Sequence, residues 1–317
     1  MGWIIRKILD AAASVAPEPD VGRARARSRA PRPSYSRVRF GLDELVTRSG
    51  LRGEDLLALS PAYRSVRVPK RSGGERVLRV PDPATKTIQR RLLHGVFDGI
   101  PIHPAAHGFE RGRSILTNAL PHTGRAIVIR MDLVDFFGST SERRVRRLFR
   151  VLGWDAETAA LLTRLTTDGG ALPQGAPTSP RLANLVNVRL DARLAALAET
   201  LGATYTRYAD DLTFSFAEAD HAAVADLLAA TRKVVRQQGY RLHLDRKLQI
   251  RRRHHRQTVT GLVVNDRVAL PRARRRWLRA VEHHVYSGKT ASLTRDQLTG
   301  WQAFESMIER GHQPPTS

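Results

Sequence analysis

Apolar residues recur along this chain with two periods, and the switches between them lay out the elements. Period two marks Ser65-Val66-Arg67-Val68-Pro69 and Arg76-Val77-Leu78-Arg79-Val80, either side of Lys70-Arg71-Ser72-Gly73-Gly74, and predicts a β-hairpin with a basic tip. Ile88, Leu92, Leu93 and Val96 then fall at helical spacing within 84–99, with Lys86, Arg90 and Arg91 opposite. The apolar run 126–131 predicts a buried strand that delivers Asp132 at its end. Helical stretches follow at 143–152 and 156–166. Two prolines and a glycine forbid regular structure in Leu172-Pro173-Gln174-Gly175-Ala176-Pro177-Thr178, until Ser179 as N-cap and Pro180 at the first helical position open a long helix ending near Gly202.

Tyr-, Thr- and Phe-rich runs flank Ala209-Asp210-Asp211 and predict a tight hairpin. A helix over 222–238 closed by Gly239, a strand over 240–244, and a second hairpin (258–264 with 267–270, turning at Asn265-Asp266) complete the series. From 272 onward the chain reads as basic helix, packing through Trp277, Leu278, Val281, Val285, Trp301, Phe304 and Met307. Strand, helix, hairpin, helix, strand is the split βαβ order of an α+β protein, whose sheet leaves one face free for a ligand.

The N-terminal stretch differs in kind. Trp3, Ile4, Ile5, Ile8, Leu9 and Ala12 form one face of a short helix expected to dock on the body. Over 17–36, Arg23, Arg25, Arg27, Arg29 and Arg32 among Ala, Ser and Pro read as a flexible basic arm, a solvated tail unless nucleic acid orders it. Arg6, Lys7 and Asp10 interrupt the apolar residues, so a secretory signal is not expected.

Charge narrows the partner class. The chain has 317 residues, 41% of them hydrophobic, and a net charge of +23. A core of ordinary size is therefore expected beneath a surface that needs a polyanion, and nucleic acid is the leading candidate over an anionic membrane. No stretch is apolar for the length of a bilayer, so no membrane partner is expected. The absence of Cys excludes disulfides, thiolate metal sites and Cys nucleophiles, and agrees with a cytoplasmic location.

Among chemical motifs, the adjacent carboxylates Asp210 and Asp211 at a hairpin tip repel each other unless a hard divalent cation sits between them. The bland alternative is a solvated Asp-Asp turn. Arg67, Lys70, Arg76 and Arg79 cluster where a triphosphate could be held, or else decorate an exposed hairpin. Asn118 and His122, close in sequence, fit either a helix cap or an RNA contact, and local physics favours the cap. Arg251, Arg252 and Arg253 lean toward a phosphate contact rather than a solvated edge. Gly288-Lys289-Thr290 lacks the first glycine of a phosphate loop, because His283 stands there. The pairs His254-His255 and His283-His284 point apart on any regular element, which argues against zinc.

Taken jointly and in order, these motifs resemble the reverse transcriptases of bacterial retrons, from about Tyr63 onward. Asp132 with Phe136-Phe137 is similar to the family's first catalytic motif, Gln174-Gly175-Ala176-Pro177-Thr178-Ser179-Pro180 to its nucleotide-site motif, and Tyr208-Ala209-Asp210-Asp211 to its metal-binding hairpin. Asn118-Ala119-Leu120-Pro121-His122 and Val259-Thr260-Gly261 resemble two retron-specific regions, the second one contacting a stem-loop of the cognate RNA. The resemblance implies a right-hand polymerase fold: fingers over 39–123, a split-βαβ palm over 124–265 with a helical insertion at 141–171, and a small helical thumb over 266–317, preceded by the 1–38 helix and arm.

It further implies RNA-directed DNA polymerase activity, with Asp132, Asp210 and Asp211 holding two Mg²⁺ ions (Mn²⁺ able to substitute). Lys70, Arg76, Gln174 and Gly175 would meet the deoxynucleoside triphosphate, and Phe137 would exclude a ribose 2′-hydroxyl. Lys247 is a candidate proton donor to pyrophosphate, although Leu248-Gln249 departs from the family pattern there. Asn118, His122, Arg251, Arg252, Arg253, Val259, Thr260 and Gly261 would contact RNA. Retron enzymes copy part of a structured non-coding RNA into RNA-linked multicopy single-stranded DNA, starting from a guanosine 2′-hydroxyl, commonly in anti-phage defence beside a separately encoded effector. The alternatives are another bacterial lineage of group II intron type, and a polymerase-fold scaffold that cages RNA–DNA and restrains an effector.

Overall fold

The computed structural model describes residues 39–69, 73–218, 220–243 and 248–310. The expected N-terminal helix and arm, Lys70 and Lys247 lie outside the described residues. Two compact units divide the chain: one holds 39–102 and 137–192, the other 103–136 and 193–310. The helical insertion thus belongs with the N-terminal hairpin, and the C-terminal helices belong with the sheet.

In the first unit, β1 (Tyr63–Pro69) and β2 (Glu75–Pro81) pair antiparallel from Tyr63↔Pro81 to Pro69↔Glu75, as the alternation demands. Asp82 caps the following helix, Pro83–Leu92, by accepting from the Thr85 amide at 3.0 Å, and Pro83 starts it without wasting a donor. The helix runs on as a π-helical turn, Leu93–Phe97. Ile88, Leu92, Val96 and Phe97 are buried, and the Phe97 ring stacks on Phe149 at 5.7 Å. Each such side chain contributes about 1.5–3 kcal/mol by leaving water. Helices Glu142–Val151 and Ala156–Thr166 lie where periodicity put them. The long helix expected from Ser179 is instead two, Ser179–Val186 and Val188–Thr200. They break at Asn187, whose amide nitrogen donates to the Ala183 carbonyl at 2.8 Å while its Oδ1 accepts from Arg144 at 3.0 Å. The cap of the first is Thr178 and not Ser179, and its side chain makes no capping bond.

The second unit is built on a four-stranded antiparallel sheet in the order β4-β5-β3-β6, namely Ala203–Tyr208, Asp211–Phe216, Ile127–Asp132 and Gln249–Arg252. With helix His221–Gln237 between β5 and β6, this is the split βαβ order. The last strand is a correction. Of the expected 240–244 strand, the described residues 240–243 form a bridge, Leu242↔Leu133, and a ladder on β3 runs from Gln249↔Arg130 with its register displaced by four residues.

One sheet face is apolar: Ile127, Ile129 and Met131 of β3 align with Phe216, Phe214 and Leu212 of β5. The other carries Asp132, Arg130, Asp211, Thr213, Ser215 and Thr206, and only Val128 continues the apolar theme there. Val128 packs with Val259, Leu262, Val264, Val268 and Leu270, and with Leu278, Val281, Leu298 and Ile308 of helices Arg272–Tyr286 and Arg295–Arg310. Met307, expected in that packing face, is 36% exposed, and Ile308 fills the buried position. The second hairpin also closes one turn early. Strands β7 (Thr258–Val259) and β8 (Leu262–Val263) join through Thr260-Gly261, at φ 47° and 86°, while the 263–269 arm keeps a single bridge. Positive φ at both central residues is the type I′ requirement, which Gly261 meets freely and Thr260 offsets by donating to the Ile115 carbonyl at 2.9 Å.

Candidate active site

Strand β3 ends on Asp132 because its apolar residues are consumed in the sheet interior, leaving the carboxylate at the rim, buried except for 7%. Register places Asp132 directly opposite Asp211, so the two side chains share a face. Tyr208↔Asp211 closes a two-residue turn, Ala209-Asp210, with Ala209 at φ 57°. A left-handed alanine costs about 1–2 kcal/mol, so the surroundings must impose it. They do so from three sides. The Asp210 carbonyl accepts from the Leu133 amide at 3.0 Å, and the Ala209 carbonyl accepts from Arg207 Nη1 at 3.0 Å. From behind, the 105–107 segment pairs with Arg207 on β4 (amide–carbonyl distances 2.7 and 2.8 Å) and sets Gly108 against the turn. A Cβ on Gly108 would lie 2.5 Å from the Ala209 nitrogen. Arg207 is wholly buried, and its guanidinium stands 5.6 Å from the Phe136 ring, which stacks on Tyr240 at 5.8 Å.

Two carboxylates facing each other across a ladder destabilise it unless a cation intervenes. Arg130, two residues before Asp132 on the same face, sits 3.4 Å from Asp211, and His243 Nε2 lies 3.7 Å from Asp132. The donors are all oxygen, which fits a hard divalent ion such as Mg²⁺. Among the described residues no three His, Cys, Asp or Glu side chains are gathered into a ready-made metal cage. The backbone brings Asp132, Asp210 and Asp211 to one rim, and a metal held there must take further ligands from elsewhere; Mg²⁺ habitually takes them from water and substrate phosphates.

Residues expected at the nucleotide belong to the first unit. Gly175 takes φ 129° because the Gln174 carbonyl accepts from the Arg79 amide at 2.8 Å, and a Cβ there would sit 3.0 Å from the Arg79 carbonyl. Arg79 is partly engaged within the first unit: its Nε pairs with Asp168 at 2.6 Å and its Nη1 donates to Ser65 at 2.8 Å. Arg76 is exposed, Arg67 faces Glu75 at 3.4 Å, and Phe137 is half-buried.

The RNA-contact expectations divide. Asn118 and His122 are completely buried and offer RNA no surface, which corrects that assignment. His122 clamps the sheet instead, its Nδ1 2.7 Å from Ser215 Oγ and its Nε2 2.8 Å from Thr206 Oγ1. Val259 is likewise a core residue, whereas Gly261 is exposed. Arg251, Arg252 and Arg253 are exposed, with Arg252 2.8 Å from His221 Nε2 and Arg253 3.2 Å from Asp266.

Burial, then the charges of Arg125 and His107, push the His122 pKa down to about 3. The unfolded imidazole protonates near pH 6.5, so stability from this group is complete above that value and is lost as pH falls toward the folded pKa. At about pH 5.5 the loss is about 1.4 kcal/mol. Urea unfolding at about pH 8 and about pH 5.5 should show it, and His122→Gln should shrink that pH difference by about 1.4 kcal/mol.

Sequence reasoning missed Gly108, Arg130 and His243. Gly108 had a signal, since a glycine before an aromatic within an irregular stretch often marks a close backbone approach. The other two depend on register and on a bridge that periodicity does not reveal.

Comparison with known proteins adds a match to the family described as reverse transcriptase (RNA-dependent DNA polymerase), over residues 68–264. The chain is similar to the retron Mx162 reverse transcriptase of Myxococcus xanthus, at 42% identity over 78% of this chain and 58% of that protein. To the retron Mx65 reverse transcriptase of the same organism it is 41% identical, over 78% of this chain and 61% of that protein. To the retron Ec86 reverse transcriptase of Escherichia coli it is 34% identical, over 76% and 75%. The chain therefore spans about three fifths of the length of the two Myxococcus relatives.

Proposed function

This chain belongs to the retron reverse transcriptases, and from that premise we propose that it is an RNA-directed DNA polymerase that copies part of a cognate structured RNA into RNA-linked single-stranded DNA. The observation that carries the reading is the opposed pair Asp132–Asp211 with Asp210 at the adjoining two-residue turn. In this reading the four-stranded sheet is the palm, the β1–β2 hairpin and its helices are the fingers, and helices Arg272–Tyr286 and Arg295–Arg310 are the thumb.

Asp132, Asp210 and Asp211 would hold the divalent ions, which supply activation of the attacking hydroxyl and charge neutralisation on the transferred phosphoryl. The protein's own work is placement. The Arg207 and Gly108 contacts keep the Ala209 turn in its unfavourable conformation, so the carboxylates are in position before substrate arrives. Arg76 and Lys70 would neutralise the triphosphate, a role that strengthens in the transition state. Gln174 and Gly175 would shape the nucleotide's floor, and Lys247 remains the candidate proton donor. Arg251, Arg252 and Arg253 would contact RNA backbone, which is recognised by shape and phosphate. The primer would be a guanosine 2′-hydroxyl within the cognate RNA, and an anti-phage role would rest on a separately encoded effector. Among the described residues no helix is long and apolar enough to cross a membrane.

Phe137 would set the sugar preference by meeting a 2′-hydroxyl with its ring. Phe137→Ala should raise ribonucleotide incorporation, relative to deoxynucleotide, about 10- to 100-fold in single-nucleotide addition. An unchanged ratio removes Phe137 from that role. The reading as a whole is tested by expressing the chain with its genomic neighbourhood and sequencing the bound nucleic acid before and after debranching. DNA joined to RNA and released by debranching supports it; bound RNA with no DNA contradicts it.

A further inference from the structure

Arg130 is oddly provisioned for a half-buried arginine. Its side chain is 22% exposed, and a guanidinium has five N–H donors to satisfy. Nη2 reaches both Asp211 oxygens at 3.4 Å, well beyond the length of a charge-assisted bond, and the buried Nε has no acceptor at all. A buried donor without a partner carries a desolvation cost, and together with the long Asp211 contact it leaves this guanidinium under-compensated. The residue lies on the polar sheet face, diagonal to Asp211 and in a cross-strand row between Thr213 and Gln249. It is therefore two residues back along β3 from the carboxylate rim, or about 6.8 Å.

We propose that Arg130 binds the primer strand, gripping the phosphodiester immediately 5′ of the nucleotide that carries the reacting hydroxyl. This deepens the polymerase reading and rests on it. While the site is empty, Asp211 compensates the guanidinium. Once a divalent ion engages Asp211, the arginine faces a second cation and needs an anion of its own. The exposed part of the Arg130 side chain can donate to a phosphate oxygen, and a primer whose hydroxyl sits at the Asp132–Asp211 rim carries its nearest phosphate back along the sheet toward Arg130. Such a contact reads no base, so it would serve an RNA primer and the growing DNA alike.

The test is a substrate–protein double cycle with the full chain, a fluorescent DNA primer annealed to an RNA template, and Ca²⁺ replacing Mg²⁺ to permit binding without turnover. The primer is prepared with a natural phosphodiester and with a neutral methylphosphonate at the one position. The wild type should lose about 10- to 100-fold in affinity on methylphosphonate substitution. Arg130→Gln should lose a similar factor with the natural primer and nothing further with the neutral one, and its log Kd against log salt slope should drop by about 0.7–0.9. Arg130→Lys, which keeps the charge without the fork, should retain part of the methylphosphonate effect, and thermal melting of both variants checks the fold. Losses that multiply, or an Arg130→Gln protein that binds the natural primer normally, overturn the inference while leaving the polymerase reading intact. A wild type that extends no natural primer with Mg²⁺ overturns both.

Discussion

Changing Asp210 and Asp211 together to Asn should lower DNA synthesis by at least about 10³-fold while leaving RNA binding unchanged. The carboxamide keeps the shape of each side chain but removes the charge that a hard cation requires. The Asp211 side chain is one-third exposed and pairs with Arg130 at 3.4 Å, and thermal melting of the variant checks that the fold survives. Primer extension on an RNA template measures the first effect and an RNA mobility shift the second. Asp132→Asn should behave alike in extension, because Asp132 and Asp211 are a directly opposed pair. A double variant that still makes DNA would mean that these two carboxylates do not carry the catalysis.

Gly108→Ala is expected to be nearly as damaging, without touching a charged group. The new methyl would stand 2.5 Å from the Ala209 nitrogen, against backbone on both sides, and neither chain can rotate out of the way. The turn must shift, and with it Asp210 and Asp211. A displacement on the order of 1 Å in a catalytic constellation costs about 10²-fold in rate. The expected result is a fall of that size in kcat for primer extension with only a modest drop in melting temperature. Gly300→Ala, where nothing lies within 4 Å, is the control. Normal turnover in Gly108→Ala would show that the turn is not held from behind.

The elements that sequence revealed are those in which one physical signal dominates. A mostly apolar run made β3 readable despite Arg130 within it, and alternation made the β1–β2 hairpin readable. Dense apolar residues around Ala209-Asp210-Asp211 did the same for β4 and β5. What escaped depends on partners distant in the chain. Tyr240 to His243 alternate as a strand should, yet the backbone there bonds to the segment around Asp132 (His243 N to Asp132 O at 2.8 Å, Val134 N to Arg241 O at 2.8 Å), and among the described residues the regular ladder lies at Gln249–Arg252. Asn187 splits a continuous helical pattern because its side chain serves Arg144 and the Ala183 carbonyl at once.

The candidate site follows the same division. The placement of Asp132 at the end of β3 and of Asp210-Asp211 at a hairpin turn was legible, because a buried strand and a tight hairpin each carry a local signal. The RNA contact expected of Asn118 and His122 came with the retron resemblance, while the local reading favoured a helix cap; both side chains are buried. The Ser215 and Thr206 hydroxyls that bury His122 come from two strands nearly a hundred positions away, and no local pattern announces them. Arg79 has a partner that its neighbours in sequence do not reveal, since Asp168 pairs with it from far along the chain.

The most direct test of the account is anomalous diffraction from crystals of this chain soaked in Mn²⁺, with a chain-terminated primer on an RNA template and a deoxynucleoside triphosphate. The account predicts manganese peaks about 2.1 Å from carboxylate oxygens of Asp132 and of the 210–211 pair, with the triphosphate completing the coordination. Manganese bound elsewhere, or those carboxylates turned from the metal and the nucleotide, would contradict it.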